Sequence, residues 1–370
     1  MYPMADPRLA KLARVLVRYS LNLQPGQLFR IAGSYLAAPL MRELTREALL
    51  VGANPTTRIS VESVDEMLYK YGSDDQIRYI PPTAKQEYEE IDATISIIAS
   101  ENTRSLSGID SARIAMRRQV MRPLQERMMQ RAADGSLRWC VSLFPTHAGA
   151  QDADMSLGDY EEFVYAACRL NADDPVAAWQ TARVEQQRIA DFLSAHHEIR
   201  LVAPDTDLTY RVSGRKWVNC YGDKNFPDGE VFTGPEEASA TGTIRYTFPA
   251  IYMGREVSDI RLWFEEGKVV KATAAKGEEL LHSLIAMDEG ALRLGEVAFG
   301  TNYDITRFSR NILFDEKIGG TVHLALGAGY PETGSTNRSA LHWDMICDMR
   351  KDAAAYADGK LFYQDGKFLI

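Results

Sequence analysis

The run Ala93-Thr94-Ile95-Ser96-Ile97-Ile98-Ala99 is β-branched and nearly all apolar. That pattern predicts a strand buried on both faces, as in a parallel sheet covered by helices. The flanking sequence agrees. Upstream, Gln27-Leu28-Phe29-Arg30-Ile31-Ala32 and residues 56–60 read as strands. Leu9, Leu12, Ala13, Leu16, Val17 and Leu21 recur at helical spacing. Pro39 opens a helix in which Leu40, Leu44, Ala48 and Leu49 share a face, and Gly52-Ala53-Asn54 stops it. A helix near 85–90 follows the Pro81-Pro82 break. Downstream come a helix over 111–133, a strand over 137–143, and a helix begun by Asp174-Pro175, with a capping side chain and a proline at its first position. Strands alternating with helices imply a parallel sheet with right-handed crossovers.

Near residue 200 the pattern changes to short β segments at 207–212, 242–248, 260–264 and 269–272. Glu265-Glu266-Gly267-Lys268 and Gln364-Asp365-Gly366-Lys367 read as hairpin turns, and one helix interrupts at 277–287. We therefore expect an α/β fold class overall: an N-terminal α/β domain with a mostly parallel sheet over 1–199, and a C-terminal β-rich α+β domain over 200–370. The break falls at 196–203.

The chain has 370 residues, with 42 Lys+Arg against 51 Asp+Glu and a formal net charge of −9. So acidic a chain lacks the electrostatic footprint of a nucleic-acid binder. No apolar run is long enough to span a membrane. Met1–Ala5 leads straight into Asp6, Arg8, Lys11 and Arg14 without an apolar leader core, which predicts a cytoplasmic protein. Cys140, Cys168, Cys220 and Cys347 form no CxxC pair and read as reduced packing thiols. Six Arg between 113 and 131 read as a solvated helical face, with a patch for acidic groups, such as peptide carboxylates, as the sharper alternative. Pro123 is expected to bend or interrupt that helix.

Several common motifs are missing: no phosphate loop, no GxSxG elbow, and Gly33-Ser34 where a dinucleotide fingerprint would stand. His196-His197-Glu198 lacks a second His one turn on and reads as a polar helix end. The chemistry gathers in the second half. In a strand over 339–348, His342 and Asp344 point to one face, as metal ligands or as a buried hydrogen-bonded pair. His323 sits in the apolar run Thr321-Val322-His323-Leu324, a core histidine or a ligand, with Asp315-Glu316 before it. The glycines of Gly327-Ala328-Gly329-Tyr330 allow a tight turn that brings the Tyr330 hydroxyl over it. Pro227-Asp228-Gly229 sets a turn from which Glu230 emerges. Glu296 stands in the apolar run 292–300, where a carboxylate is costly unless paired, with Arg293 as one candidate, or coordinated. Carboxylates with imidazoles suit Zn, Mn or Co. Two ions about 3.5–4 Å apart suit hydrolysis by a metal-activated water.

NFPDGEVFT at 225–233, LGEVAFGTN at 294–302, LFDEKIGGTVHLALGAGYPETG at 313–334 and NRSALHWDMICDMR at 337–350 together resemble the M29 peptidase family, the metallo-aminopeptidases of the aminopeptidase T and S type. The likeness extends from the first helix to DGKF at 365–368, and its C-terminal motifs are the specific ones. The resemblance implies a cytoplasmic, dinuclear-metal exopeptidase that removes N-terminal residues from peptides, and a homodimer. It makes Glu230, Glu296, His323, His342 and Asp344 metal ligands of two divalent ions (Zn, Co or Mn), with Glu296 bridging. Glu316 matches a further acidic ligand position, with Gly319-Gly320 altering its spacing to His323. Tyr330 matches the catalytic tyrosine that steadies the oxyanion, and Glu230 and Glu296 are both candidates for the general base. The same residues would serve a metal-dependent hydrolase of another amide. A peptide-binding protein that uses the set structurally is the reading from a different class.

Overall fold

The computed structural model describes residues 6–370. Met1–Ala5, part of the leader argument, lie outside them. Two compact units result. One comprises the chain up to Val176 together with Gly222–Phe226, and the other comprises Ala177–Tyr221 and Pro227–Ile370.

The first unit is built on a five-stranded sheet, all parallel, in the order Asn54–Ser60, Leu28–Ser34, Ala93–Ile98, Arg138–Leu143, Asn225–Phe226. The central strand departs from the expected two-sided burial. Ala93, Ile95 and Ile97 are buried, but Ser96 is exposed and Ile98 is 38% exposed. On that face Ser96 borders a cleft whose walls include Arg30 of the neighbouring strand and the helix residues Tyr88, Arg117 and Met121.

The helix Ser111–Ala133 runs without interruption through Pro123. Its arginines are not simply a solvated face. Arg113 donates to the Tyr69 carbonyl (2.7 Å) and to that of Gly72, Arg117 to Ile77 (3.0 Å) and Tyr79 (2.8 Å), and Arg131 to Tyr88 (2.9 Å). These carbonyls lie at the C-terminal ends of the helices Glu62–Tyr71, Asp74–Arg78 and Pro82–Glu90. Such ends carry unpaired carbonyls and partial negative charge, which guanidinium groups satisfy.

The second unit holds an eight-stranded antiparallel sheet in the order Lys268–Thr273, Ile260–Glu265, Thr241–Tyr246, Thr206–Arg211, Glu198–Ala203, Ala354–Ala357, Lys360–Gln364, Lys367–Phe368. A five-stranded antiparallel sheet runs His342–Asp348, Thr321–Gly327, Leu294–Gly300, Glu230–Thr233, Val218–Cys220. The two sheets share one core. Leu201, Leu208, Ile244 and Leu262 come from the larger sheet, and Val231, Val297, Phe299, Val322, Leu324 and Met345 from the smaller. Ile189, Ala190 and Leu193 of the helix Pro175–Ser194 join the same core, so this helix groups with the second unit although it precedes residue 196. Among the described residues, no helix is long and apolar enough to cross a membrane.

Candidate metal centre

The smaller sheet spends one face on the core, and period-two alternation sends the intervening side chains to the other. Val231, Val297, Val322, Leu324, Met345 and Trp343 face the core. Glu230, Glu296, His323, His342 and Asp344 therefore face away from it together. Glu296 reaches that face through a bulge. Leu294 pairs with Leu326 and Glu296 with Ala325, leaving Gly295 as the extra residue. A bulge flips the alternation locally, so Leu294 and Val297 both enter the core while Glu296 turns out of it. Only glycine fits at that kink, because a Cβ on Gly295 would stand 2.3 Å from the Gly327 carbonyl oxygen.

The ligand atoms of Glu230, Glu296 and His323 lie within 4.8 Å of one another, as do those of Glu296, His342 and Asp344, and of Glu316, His323 and Asp344. Glu296 is shared between the two histidines: Oε1 is 3.3 Å from His323 Nε2 and Oε2 is 3.5 Å from His342 Nε2. His323 Nε2 is also 3.5 Å from Glu230 Oε2, and His342 Nε2 is 3.5 Å from Asp344 Oδ2. Two donors each about 2.0–2.2 Å from a zinc-like ion at a tetrahedral angle stand about 3.3–3.6 Å apart. The spacing therefore suits atoms that share a cation. Both imidazoles are oriented from behind. His323 Nδ1 donates to the Glu316 carbonyl (2.9 Å) and His342 Nδ1 to the Ala328 carbonyl (2.7 Å), so each turns Nε2 into the cluster. That arrangement is typical of metal-ligating histidine. Among the described residues, Glu230 Oε2 is buried and makes no hydrogen bond, as an oxygen kept for a metal would be. The donor set and the geometry thus fit divalent metal.

The cluster has a closed floor and an open side. His323, Glu296 and Glu230 are at most 6% exposed, whereas Tyr330 is 44% exposed. The Tyr330 ring meets His342 edge-on at 5.3 Å and Phe232 at 5.3 Å. A cavity of about 190 Å³ borders His342 and Asp344 and is lined by Tyr252, Phe308, Ile312 and Ile346.

Charges crowded out of water perturb one another. Burial opposes protonation of His323, but the Glu296 hydrogen bond and the Glu230, Glu296 and Glu316 charges lift it to about 9. Burial likewise opposes a charged His342, and Asp344 and Glu296 lift it to about 10. Burial pushes Glu316 up to about 8 and raises Glu296. Burial and the surrounding carboxylates raise the Tyr330 phenol, so it keeps its proton.

All six expected acidic and imidazole side chains converge here, Glu316 included. The left-handed Gly320 (φ 91°) turns the chain back between Glu316 and the His323 strand. Arg293 is not the partner of Glu296; its guanidinium donates to the Glu237 carbonyl (2.8 Å) instead. Three neighbours escaped the sequence reading: Asp228, Cys220 and Lys317. Cys220, Asp228 and Glu230 form a further close group. Lys317 contacts Asp228, Glu230 and Glu316. The signal available was the Glu316-Lys317 pair itself, beside an apolar strand.

The model of the family described as thermophilic metalloprotease (M29) matches residues 5–368. Aminopeptidase 2 of Geobacillus stearothermophilus is 32% identical over 356 residues, covering 88% of this chain and 84% of that one. Aminopeptidase T of Thermus thermophilus is 27% identical, covering 88% of this chain and 85% of that one. The solved structure of wild-type AmpT from Thermus thermophilus shares the fold, with a TM-score of 0.86 at 22% identity over 98% of this chain and 99% of the other.

Proposed function

The chain belongs to the M29 family of thermophilic metalloproteases and is a metal-dependent aminopeptidase; on that premise we propose that it works with two divalent ions, bound by Glu230, Glu296, Glu316, His323, His342 and Asp344, with Glu296 shared between them. The carrying observation is a charge balance. Asp228, Glu230, Glu296, Glu316 and Asp344 bring five carboxylates into one nest, and Lys317 brings one ammonium. With every carboxylate ionised and both imidazoles neutral, as ligation requires, four negative charges remain, the charge of two divalent cations. Without metal, protons held by His323, His342 and Glu316 offset most of that charge.

When bound, such ions supply a water made nucleophilic at neutral pH and polarisation of the scissile carbonyl. The chain's own groups do the rest. Tyr330, protonated and at the open side, donates a hydrogen bond to the oxyanion of the tetrahedral intermediate. A carboxylate of the nest, Glu230 or Glu296, takes the water's proton and passes it to the leaving amine. A carboxylate of the nest accepts a hydrogen bond from the substrate's α-amine, which restricts cleavage to the first peptide bond. The cavity beside His342, whose walls mix Tyr252, Phe308, Ile312 and Ile346 with Arg310 and Asp315, takes a side chain of the peptide, and a leucyl substrate is a convenient probe. Zn, Co or Mn as the metal, a homodimer and a cytoplasmic setting belong to the same proposal.

The test is hydrolysis of a leucyl chromogenic amide. Chelation is expected to abolish it, and Co²⁺ or Zn²⁺ to restore it. Turnover that survives thorough chelation overturns the proposal.

A further inference from the structure

Lysine is almost never fully buried unless it is paired, yet the side chain of Lys317 is 0% exposed. Its Nζ lies 3.3 Å from Glu230 Oε1 and 3.8 Å from Asp228 Oδ1, and it pairs closely with Glu316 Oε1. Two of these partners also belong to the metal-ligand set. The third, Asp228, belongs with Cys220 and Glu230 to a group whose ligand atoms lie within 4.8 Å of one another. A thiolate and two carboxylates at that spacing are themselves competent zinc donors. The ammonium lies against the two carboxylates of that group, which would otherwise attract a metal ion.

We propose that Lys317 is a built-in cation that closes the Cys220–Asp228–Glu230 group to metal and holds Glu230 and Glu316 in place for the two ions beside it. The inference rests on the two-ion reading above. The division of oxygens supports it. Glu230 gives Oε1 to Lys317 and leaves Oε2 facing His323 Nε2 at 3.5 Å. Glu316 gives Oε1 to Lys317, while its backbone carbonyl receives the His323 Nδ1 hydrogen bond. Lys317 thus contacts two carboxylates of the ligand set at once.

The backbone makes the placement rigid. The Lys317 carbonyl accepts from the Asn302 N–H (3.0 Å), and Asn302 Nδ2 donates to the Asp228 carbonyl (2.9 Å). The lysine and the turn carrying Asp228 are therefore pinned to one residue. Gly319 packs so closely on Tyr303 that a Cβ would come within 2.6 Å of the ring. Gly229 lies in the left-handed region (φ 128°), with a Cβ position 2.7 Å from Asn302 Cβ. An ammonium held this way is a fixture of the fold rather than a mobile surface charge.

A merely stabilising lysine would not control how many metal ions the protein holds, so the test counts ions. Metal-free wild type, Lys317→Met and Asp228→Asn/Lys317→Met are loaded with zinc, desalted and analysed for metal. Lys317→Met is expected to keep one more zinc ion per chain than wild type. The double variant, which lacks a donor of the extra group, is expected to return to the wild-type count. Equal counts in wild type and Lys317→Met, or an extra ion retained in the double variant, overturn the inference. Cobalt-loaded wild type gives a readout independent of whether the variants fold. With Lys317 in place it is expected to show no sulfur-to-cobalt charge-transfer absorption, and such a band overturns the inference. The role of Lys317 shows in the difference between wild type and variant, whereas a wild-type count other than two contradicts the two-ion reading.

Discussion

Metal binding to this cluster should expel protons. Without metal, the carboxylates lift His323 to about 9 and His342 to about 10, and burial lifts Glu316 to about 8. At pH 7 all three are protonated, and all three must lose the proton to ligate. Each unit between pH and pKa costs about 1.4 kcal/mol. Freeing His323 therefore costs about 3 kcal/mol and freeing His342 about 4 kcal/mol, apparent affinity losses of roughly 100-fold and 1000-fold at the respective sites. Calorimetric titration of the metal-free protein with Zn²⁺, in buffers of different ionisation enthalpy, should register about three protons released per chain at pH 7 and fewer than one above about pH 10. Between pH 7 and 9, apparent affinity should rise steeply. Stability of the metal-free protein should move the other way. Both histidines have folded-state pKa values above the unfolded value, so their ion pairs stabilise fully below about pH 6.5. That contribution is lost as pH rises through 9 to 10. Fewer than two protons at pH 7, or an affinity flat between pH 7 and 9, would refute the reasoning.

Glu296→Gln removes the carboxylate that faces both histidines. Elemental analysis should find the metal content collapsed, and leucyl-amide turnover should fall by more than about 100-fold; full turnover would exclude the shared role. Tyr330→Phe should keep its metal but lose about 10²–10³ in kcat, as for removal of an oxyanion donor, with KM little changed. Gly229→Ala forces a side chain into a left-handed position against Asn302. Urea denaturation should show a loss of about 1–3 kcal/mol.

Much of this centre was legible because strand parity is simple. His342 and Asp344 two residues apart had to share a face, and a carboxylate in the apolar run around Glu296 had to find a partner. What parity could not supply was the bulge at Gly295, which turns Glu296 to the face shared by the histidines. Nor could it show that Arg293, three residues away, is taken by the Glu237 carbonyl. The parallel and antiparallel regions were legible from periodicity. The exposed face at Ser96 and Ile98 was not, because whether a helix seals a sheet depends on distant packing. The arginines of 113–131 looked solvated because nothing local announces that the carbonyls of Tyr69, Ile77 and Tyr88 approach them. Lys317 follows Asp315-Glu316 and has the look of a surface lysine. Its burial comes from a loop anchored at Asn302, a contact 15 residues earlier in the chain.

Anomalous diffraction from crystals of the metal-loaded protein, recorded on either side of the metal's absorption edge, tests the two-ion centre most directly. The account predicts two peaks per chain, with the Glu296 carboxylate between them, one beside His323 and Glu230 and the other beside His342 and Asp344. A single peak, or peaks away from these residues, would contradict it.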